Sequence, residues 1–249
     1  MRIIIAPAKK MKEEGDLMEA KEFPVFLDQA ESLRQWICSL SYEQAKKLWN
    51  CSDKIAAEAY ERFCTMDLKC AVTPAVLAYD GIQYRYLAAH VMEEQSLCYL
   101  QKHLRILSGF YGILRPMDGI VPYRLEMQAK TQNFGHVSLY AYWGEKLYRN
   151  IAEETDCILN LASKEYAACI EPYLDKKMEF LTCIFGELKG SKVVQKATEA
   201  KMARGEMVRY LAENKIEDLK QIKMFEQLGY QYDKKRSSEN IYIFLKNKK

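Results

Sequence analysis

Metal-binding residues are scarce in this sequence. It contains three histidines among 249 residues, and its eight cysteines are irregularly spaced, with no Cys-x-x-Cys pair. Structural zinc sites use such residues in close pairs, so we expect neither a metal site nor a bound cofactor. His90, Glu93 and Glu94 lie at one-turn spacing and could ligate iron, although this combination is more typical of a solvated helix face.

Long apolar runs are also absent. Spanning a bilayer takes about 20 consecutive apolar residues, and no segment approaches that length. The amino-terminal run of residues 2–6 is stopped by Pro7 and lacks the long apolar region and cleavage site of a signal peptide. We therefore expect a cytoplasmic protein with no membrane partner. Because no linker rich in proline, glycine or serine divides it, residues 1–249 are expected to form a single domain.

The usual sequence signatures of enzymes are missing as well. There is no Gly-x-Gly-x-x-Gly motif, no phosphate-binding loop ending in Lys-Ser or Lys-Thr, and no legible catalytic triad. The net charge of +3 does not by itself predict a nucleic-acid-binding protein. Basic residues are nevertheless concentrated in residues 9–12, 102–124, 201–209 and 234–249. If the fold brings these groups together, they will form a positively charged cleft.

Short apolar runs and longer helical periodicities follow one another along the chain. Strands are predicted at residues 2–6, 73–79, 157–161, 228–232 and 241–246, with a β-hairpin at 178–195. Helices are predicted at residues 85–107, 138–154 and 198–214. This order predicts an α/β fold with α+β character, in which helices flank a mixed, curved β-sheet.

Residues 26–65 are predicted to form helices joined by tight turns. Ser41 followed by Gln44 has the spacing of a capping box, which starts a second helix, and Ser52 is placed to start a third. The pattern is typical of a helix–hairpin–helix element. Its turn near residues 50–52 would offer backbone N–H groups to a phosphate.

Polar side chains follow several predicted strands. Lys9, Asn160 and Ser163 come just after strand ends, as does the Asp80-Gly81 pair. Ligands of open α/β sheets collect at the carboxyl ends of the strands, so parallel neighbours would place these residues at one edge. The alternative is local turn chemistry, in which Ser163 caps a helix and Asp80-Gly81 forms a turn.

The stretch from residue 103 to 127 is dense in charged and aromatic side chains. Its first part is expected to be helical through residue 107, with its arginine outside the buried stripe. A guanidinium binds phosphate in bidentate fashion, so three arginines are candidate phosphate ligands: Arg105, Arg115 and Arg124. They could instead form an internal ion-pair network with Glu126 and Glu165.

The helix predicted from Thr198 carries Lys201, Arg204 and Gly205 on one side. A glycine inside a helix costs roughly 1 kcal/mol, so it is expected to allow the close approach of another group. That group could be a phosphate backbone or a tightly packed helix, and the two explanations fit equally well.

The same residues could support catalysis. A desolvated Lys9 could act as a nucleophile, and Glu126 or Glu165 as a general acid or base. Tyr111 or Tyr166 could hold an unstacked base, although tyrosines more often serve in packing. An enzyme acting on a nucleotide or a damaged nucleic acid is therefore the alternative to simple DNA binding.

Six segments carry the most distinctive residues: Pro7-Ala-Lys9, Ser52-Asp-Lys54, residues 103–118, residues 122–127, residues 160–166 and Ala203-Arg-Gly205. In this order, and over nearly the whole chain, they resemble the YaaA family, bacterial proteins of the peroxide stress response. The resemblance implies a single-domain mixed α/β fold with a helix–hairpin–helix element and DNA binding through a positive cleft. It also implies protection of DNA against peroxide by limiting unincorporated iron.

The residues expected to contact DNA are spread along the chain: Lys9, Lys54, Arg105, Ser108, Tyr111, Arg115, Arg124, Asn160, Ser163, Tyr166, Lys201, Arg204 and Gly205. The expected partner is double-stranded DNA, and contacts of this kind are mostly independent of base sequence and weaken as salt is added. A monomer is favoured.

Overall fold

The computed structural model describes residues 1–13 and 18–247. Lys248 and Lys249, which belong to the basic tail, lie outside the described residues. Within them, helices flank a mixed β-sheet, and this confirms the predicted fold class. The buried apolar side chains form one continuous core. Every helix in the described part is too short or too polar to cross a bilayer.

The main sheet contains an almost completely buried inner strand at Arg2–Ile5. The strands of the described chain are β1 (Arg2–Ile5), β2 (Thr73–Pro74), β3 (Leu104–Ser108), β4 (Gly112–Leu114), β5 (Gly119–Ile120), β6 (Cys157–Asn160), β7 (Glu179–Lys189), β8 (Lys192–Val194), β9 (Tyr230–Tyr232) and β10 (Ile241–Lys246). The three isoleucines of β1 are completely buried, as is typical of a β-branched run inside a parallel sheet. Strands β2 and β5 form a separate pair.

Strand order in the main sheet creates a switch point. Five strands run parallel, in the spatial order β3-β1-β6-β7-β10. If these five strands are numbered by their order along the chain, their spatial order in the sheet is second, first, third, fourth, fifth. The direction of progression therefore reverses between β1 and β6. In open α/β sheets a crevice forms at such a point, beyond the carboxyl ends of the strands.

The helices surround this sheet. They are α1 (Leu27–Ser39), α2 (Tyr42–Trp49), α3 (Asp53–Thr65), α4 (Ala75–Ala78), α5 (Ile82–Leu87), α6 (Glu94–His103), α7 (Leu139–Trp143), α8 (Lys146–Ala152), α9 (Lys164–Ala167) and α10 (Ala197–Glu213). Short 3-10 turns occur at Leu68–Cys70, Ala89–Val91, Thr131–Phe134, Glu171–Tyr173, Leu219–Met224 and Gln227–Gly229.

The amino-terminal helices follow the sequence prediction. Ser41 Oγ accepts the Gln44 N–H, and the Gln44 side chain accepts the Ser41 N–H at 2.9 Å, which completes the predicted capping box. Only residues 50–52 separate α2 from α3, because Asn50 turns the chain in the left-handed conformation with φ 45°. Ser52 occupies the cap position of α3, although its side chain makes no capping hydrogen bond. Helices α2 and α3 are therefore joined by a tight turn, as predicted.

Most later elements also match, including the hairpin of β7 and β8, helix α10, and strands β9 and β10. The prediction of a strand over residues 73–79 was wrong beyond Pro74, because residues 75–78 form a helical turn. The helix predicted over residues 138–154 is interrupted at Gly144, whose φ of 50° leaves the helical region.

The predicted helix through residue 107 was also wrong. Helix α6 ends at His103, and Leu104 begins β3, which pairs with β1 on one side and β4 on the other. The leucines of this segment fit a helical stripe and a buried strand equally well, and pairing within the sheet decided between them. Arg105 is therefore buried in the sheet rather than exposed on a helix.

Candidate functional site

A cavity of about 480 Å³ opens beyond the carboxyl ends of β1 and β6, where the strand order reverses. We call it the switch-point cavity. Its size lies in the range of small-molecule sites. Its walls come from the loop after β1, the start of α5, the segment before residue 127, the start of α9, and one face of α10. The polar and aromatic lining residues are Lys9, Lys10, Asp80, Gln83, Tyr84, Tyr123, Arg124, Glu126, Ser163, Glu165, Tyr166, Lys201 and Arg204.

Backbone pairing brings the loop after β1 to the start of α5. The Lys12 N–H donates to the Ala78 carbonyl at 2.8 Å, and the Asp80 N–H donates to the Lys10 carbonyl at 2.9 Å. Gly81 allows this approach, since a Cβ there would lie 2.8 Å from the Cβ of Ala8. The expectation that the ends of neighbouring parallel strands share one edge is confirmed for β1 and β6. Asp80-Gly81 reaches the same edge through this loop pairing.

Helix α10 approaches the cavity through Gly205. The backbone of α5 lies directly against this glycine, with Leu87 N only 3.0 Å from the position of a Cβ. Of the two explanations for the glycine, helix packing is the one found. Gly205 therefore does not line the cavity itself, but it sets the position of Lys201 and Arg204, which do.

Ion pairs at the cavity leave an excess of positive charge. Glu126 Oε1 lies 3.2 Å from Lys9 Nζ and 3.4 Å from Arg124 Nη2, so the predicted pairing of Arg124 with Glu126 is confirmed. Lys10 Nζ lies 2.7 Å from Asp80 Oδ2. The lining contains five lysines and arginines against three carboxylates, which gives a formal charge of +2 when all are ionised. This balance favours an anionic ligand.

Unsatisfied polar atoms are concentrated at this cavity. Six buried side-chain N or O atoms of the described residues have no hydrogen-bond partner, and four of them belong to lining residues. They are Gln83 Nε2, Arg124 Nε, Glu126 Oε1 and Arg204 Nε. Glu126 Oε1 has the ion-pair contacts given above, but neither has hydrogen-bond geometry. Buried polar atoms are nearly always paired, so this concentration indicates a site that a ligand completes.

Two cations of α10 are uncommitted. In residues 1–13 and 18–247, neither Lys201 nor Arg204 makes a hydrogen bond or an ion pair. Burial lowers the pKa of Arg204, and the neighbouring Cys183 thiol opposes that effect only in part. An arginine nevertheless stays protonated in proteins, so its charge has no protein counter-ion here.

Glu165 is a partly buried carboxylate of the cavity. Burial raises its pKa above the ordinary value, and the nearby charge of Glu126 adds to the effect, while the Gln128 N–H and Lys9 act against it. The Gln128 N–H donates to Glu165 Oε1 at 3.2 Å. A carboxyl whose pKa is raised by burial is suited to act as a general acid.

Aromatic side chains form much of the wall. Tyr84, Tyr123 and Tyr166 line the cavity and are at most 7% exposed. Burial raises the pKa of Tyr123 to about 12, so its phenol stays neutral at physiological pH. Its hydroxyl lies 2.9 Å from that of Tyr79 and 2.6 Å from Ser108 Oγ, while Tyr84 donates to the Ala6 carbonyl at 3.0 Å.

The structure separates Arg105 and Arg115 from this cavity. Both line a second cavity of about 780 Å³ near the amino ends of β1 and β3, together with Arg2 and Glu154. Arg105 is 3% exposed and donates to Glu154 Oε2 from Nε at 3.0 Å and from Nη2 at 2.5 Å. Arg115 contacts Glu22 at 2.9 Å and Glu154 at 3.3 Å. Despite its larger volume, this cavity is less suited to an anion, because carboxylates already hold its arginines.

Several other expected contact residues serve in the interior. Ser108 is completely buried and accepts the Tyr111 N–H at 2.8 Å, and the Tyr111 hydroxyl accepts the Val121 N–H at 3.2 Å. Asn160 donates to Thr182 Oγ1 at 3.1 Å and accepts the Ala162 N–H at 3.0 Å. Lys54 is exposed on α3 and outside the cavity lining. The expected residues that share the switch-point cavity are Lys9, Arg124, Ser163, Tyr166, Lys201 and Arg204.

Sequence reasoning missed Gln83, and it included Lys10 only as part of the basic stretch of residues 9–12. Gln83 is 6% exposed on α5, where it lies next to Tyr84 and four residues before Leu87, both of which are buried. A polar residue inside an apolar helical stripe is the signal that could have identified it. The role of Lys10 depends on the pairing of its loop with residues 78–80, and no local pattern in the sequence indicates that pairing.

Comparison with known proteins identifies the family of this chain. The family model described as peroxide stress protein YaaA matches residues 1–236. A UPF0246 protein of Lachnoclostridium phytofermentans is 53% identical over 246 residues, covering 99% of this chain and 96% of the relative. Similar proteins of Desulfitobacterium hafniense and Pediococcus pentosaceus are 51% and 50% identical, each covering 99% of this chain and 98% of the relative. The chain therefore belongs to the YaaA family of peroxide stress proteins.

Proposed function

We propose that this peroxide stress protein binds double-stranded DNA at the switch-point cavity and protects it, acting as a monomer in the cytoplasm. The observation that carries the proposal is the pair of uncommitted cations on α10, Lys201 and Arg204, beside a cavity with excess positive charge. Cations without a counter-ion bind phosphate most favourably, because no internal ion pair has to be broken first.

The phosphate contacts would come from the rim of the cavity. Lys9, Arg124, Lys201 and Arg204 supply charge, and Ser163 supplies a hydroxyl. These groups recognise the backbone rather than base edges, so affinity is largely independent of sequence. Helices α2 and α3 with their tight turn would add a second contact as a helix–hairpin–helix element, with backbone N–H groups of residues 50–52 and the exposed Lys54.

The second part of the proposed role is limitation of free intracellular iron, which membership of a peroxide stress family supports. Less free iron means less peroxide-driven damage to DNA. Cells lacking the gene should contain more chelatable iron after a peroxide challenge, and expression of this chain should reverse the increase. Unchanged iron in both strains would remove this part of the proposal.

Salt titration tests the DNA-binding proposal. Affinity for a labelled duplex should fall by roughly 100-fold between about 50 mM and about 200 mM salt if four phosphates are neutralised. A duplex of unrelated sequence serves as the control and should bind with similar affinity. Absence of binding at low salt, or an affinity that does not respond to salt, would contradict the proposal.

An enzyme acting on a nucleotide or a damaged nucleic acid is the second candidate. The raised pKa of Glu165 beside Glu126 favours it, because such a pair can supply an acid and a base. Lys9 supplies an amine next to Glu126, but its side chain is 68% exposed, so the predicted desolvation of Lys9 is not found. Borohydride should then trap a Lys9 adduct on abasic DNA, and Glu126→Gln should abolish turnover. If DNA is bound but never chemically altered, the enzyme hypothesis is contradicted and simple DNA binding remains.

A further inference from the structure

The switch-point cavity holds a neutral hydrogen-bond donor that phosphate binding does not use. Gln83 is 6% exposed and lines the cavity, and its Nε2 has no partner among the described residues. Leaving a buried amide donor unpaired costs about 1–3 kcal/mol. Leucine or methionine would fill the same space without that cost. The amide is therefore best explained by a ligand that offers it an acceptor.

The shape and lining of the cavity indicate the class of ligand. A bare phosphate needs neither a volume of about 480 Å³ nor an amide donor among tyrosines. Tyr84, Tyr123 and Tyr166 supply apolar ring surface, and Lys201 and Arg204 supply positive charge at the same site. A planar ring with hydrogen-bond acceptors, joined to a phosphate, matches all of these features. A nucleotide has both of these parts.

We propose that the switch-point cavity receives a single nucleotide extruded from bound DNA, with Gln83 Nε2 donating to an acceptor on its base and Lys201 and Arg204 holding its phosphate. The inference rests on the proposed DNA binding and specifies that the part of the DNA entering the cavity is a single nucleotide. Extrusion costs a few kcal/mol of stacking and pairing, and this is smallest at a mismatched or damaged position. The protein should therefore prefer duplexes that contain such a position.

Two measurements separate this inference from DNA binding itself. The first is calorimetric titration with each of the four deoxynucleoside monophosphates, with deoxyribose 5-phosphate as the control that lacks a base. The second is the fluorescence of a duplex carrying 2-aminopurine opposite a mismatch, because the probe brightens when it leaves the stack. We expect saturable binding of mononucleotides, much weaker binding of the sugar phosphate, and a fluorescence increase on adding protein.

The variant Gln83→Leu tests the role of the amide. Mononucleotide affinity should fall by roughly 3- to 10-fold, the effect of losing one neutral hydrogen bond. The melting temperature should stay the same or rise, since an unpaired buried donor is removed. Gln35→Leu, on the exposed face of α1, is the matched control and should leave nucleotide binding unchanged.

The outcomes distinguish the two proposals. Tight duplex binding with no mononucleotide binding and no fluorescence increase would overturn the extruded nucleotide and leave DNA binding intact. If mononucleotides bind in a way that depends on Gln83 but duplex DNA does not bind, the cavity is a nucleotide site. The proposal that the nucleotide is extruded from DNA is then contradicted. Binding of neither would overturn both. Nucleotide binding that Gln83→Leu leaves unchanged would overturn the assigned role of the amide.

Discussion

Gly205 on α10 and Gln83 on α5 are in direct backbone contact. A Cβ at position 205 would lie 2.0 Å from the Gln83 carbonyl oxygen, closer than any real carbon can approach. The contact joins the helix that carries Lys201 and Arg204 to the helix that carries the unpaired amide. The two sides of the cavity thus depend on one glycine for their spacing.

Gly205→Ala should therefore destabilise the protein. Alanine favours a helix by up to about 1 kcal/mol relative to glycine, but forcing a methyl group against backbone costs typically about 1–3 kcal/mol or more. The second effect should be larger, so the unfolding free energy should fall and DNA affinity should weaken as α10 shifts. Chemical denaturation and a duplex titration measure the two effects. A more stable variant with full affinity would show that the close contact is unimportant.

Removing the uncommitted cations should weaken DNA binding without harming the fold. Lys201→Ala and Arg204→Ala should each lower affinity similarly for all duplexes and reduce the slope of the salt dependence by about 1. Arg209→Ala is the matched control on the same helix, because Arg209 is held by Glu213 at 2.7 Å and lies outside the cavity lining. Equal losses in all three variants would indicate a general charge effect rather than this site.

Glu154→Gln should separate stability from binding. The change removes the charge that neutralises the buried Arg105, and breaking a buried ion pair costs roughly 3–5 kcal/mol. Unfolding free energy should fall accordingly, while the folded protein keeps its DNA affinity. Glu145→Gln removes an exposed pair with Arg149 and should change stability by less than about 1 kcal/mol. A loss of DNA affinity in folded Glu154→Gln would mean that the second cavity takes part in binding.

Asp118 should make stability depend on pH. Burial raises its pKa to about 7, against the opposing Arg115 N–H, while an unfolded chain has a value of about 3.9. The folded state thus favours the protonated form, so this contribution to stability is present below pH 4 and is lost as the pH rises through about 7.

Asp118→Asn isolates this effect. The amide can still accept the Arg115 N–H that Asp118 Oδ2 accepts at 2.8 Å, but it cannot ionise. The melting temperature of the variant, relative to the natural protein, should rise from about pH 4 and level off above about pH 7. Thermal melts across that range provide the measurement. A difference that does not vary with pH would contradict the assigned titration.

Local sequence signals predicted much of the fold. The capping box at Ser41 and Gln44 requires only neighbouring residues, and it forms as expected. The same holds for the long periodicity of α10 and the hairpin that turns at Gly190. Each of these elements is determined by propensity, capping or turn chemistry within a short stretch of chain.

The candidate site was harder to predict because its geometry is not local. Lys9 and Ser163 follow neighbouring parallel strands and meet at one edge, as the sequence suggested. Arg105 and Arg115 share the central segment with Arg124 but line the other cavity, and for Arg105 this follows from the change from helix to strand at Leu104. No spacing rule indicates that change, because it follows from pairing with β1, about a hundred residues earlier in the chain.

Hydrogen exchange of the protein with and without duplex DNA tests the central claim most directly. If DNA occupies the switch-point cavity, exchange should slow in residues 6–12, 80–87, 121–128, 163–168 and 197–206. The segments around the second cavity, residues 18–22 and 94–105, should be unchanged. Protection confined to those second-cavity segments, or no protection under conditions where the duplex is bound, would contradict the account.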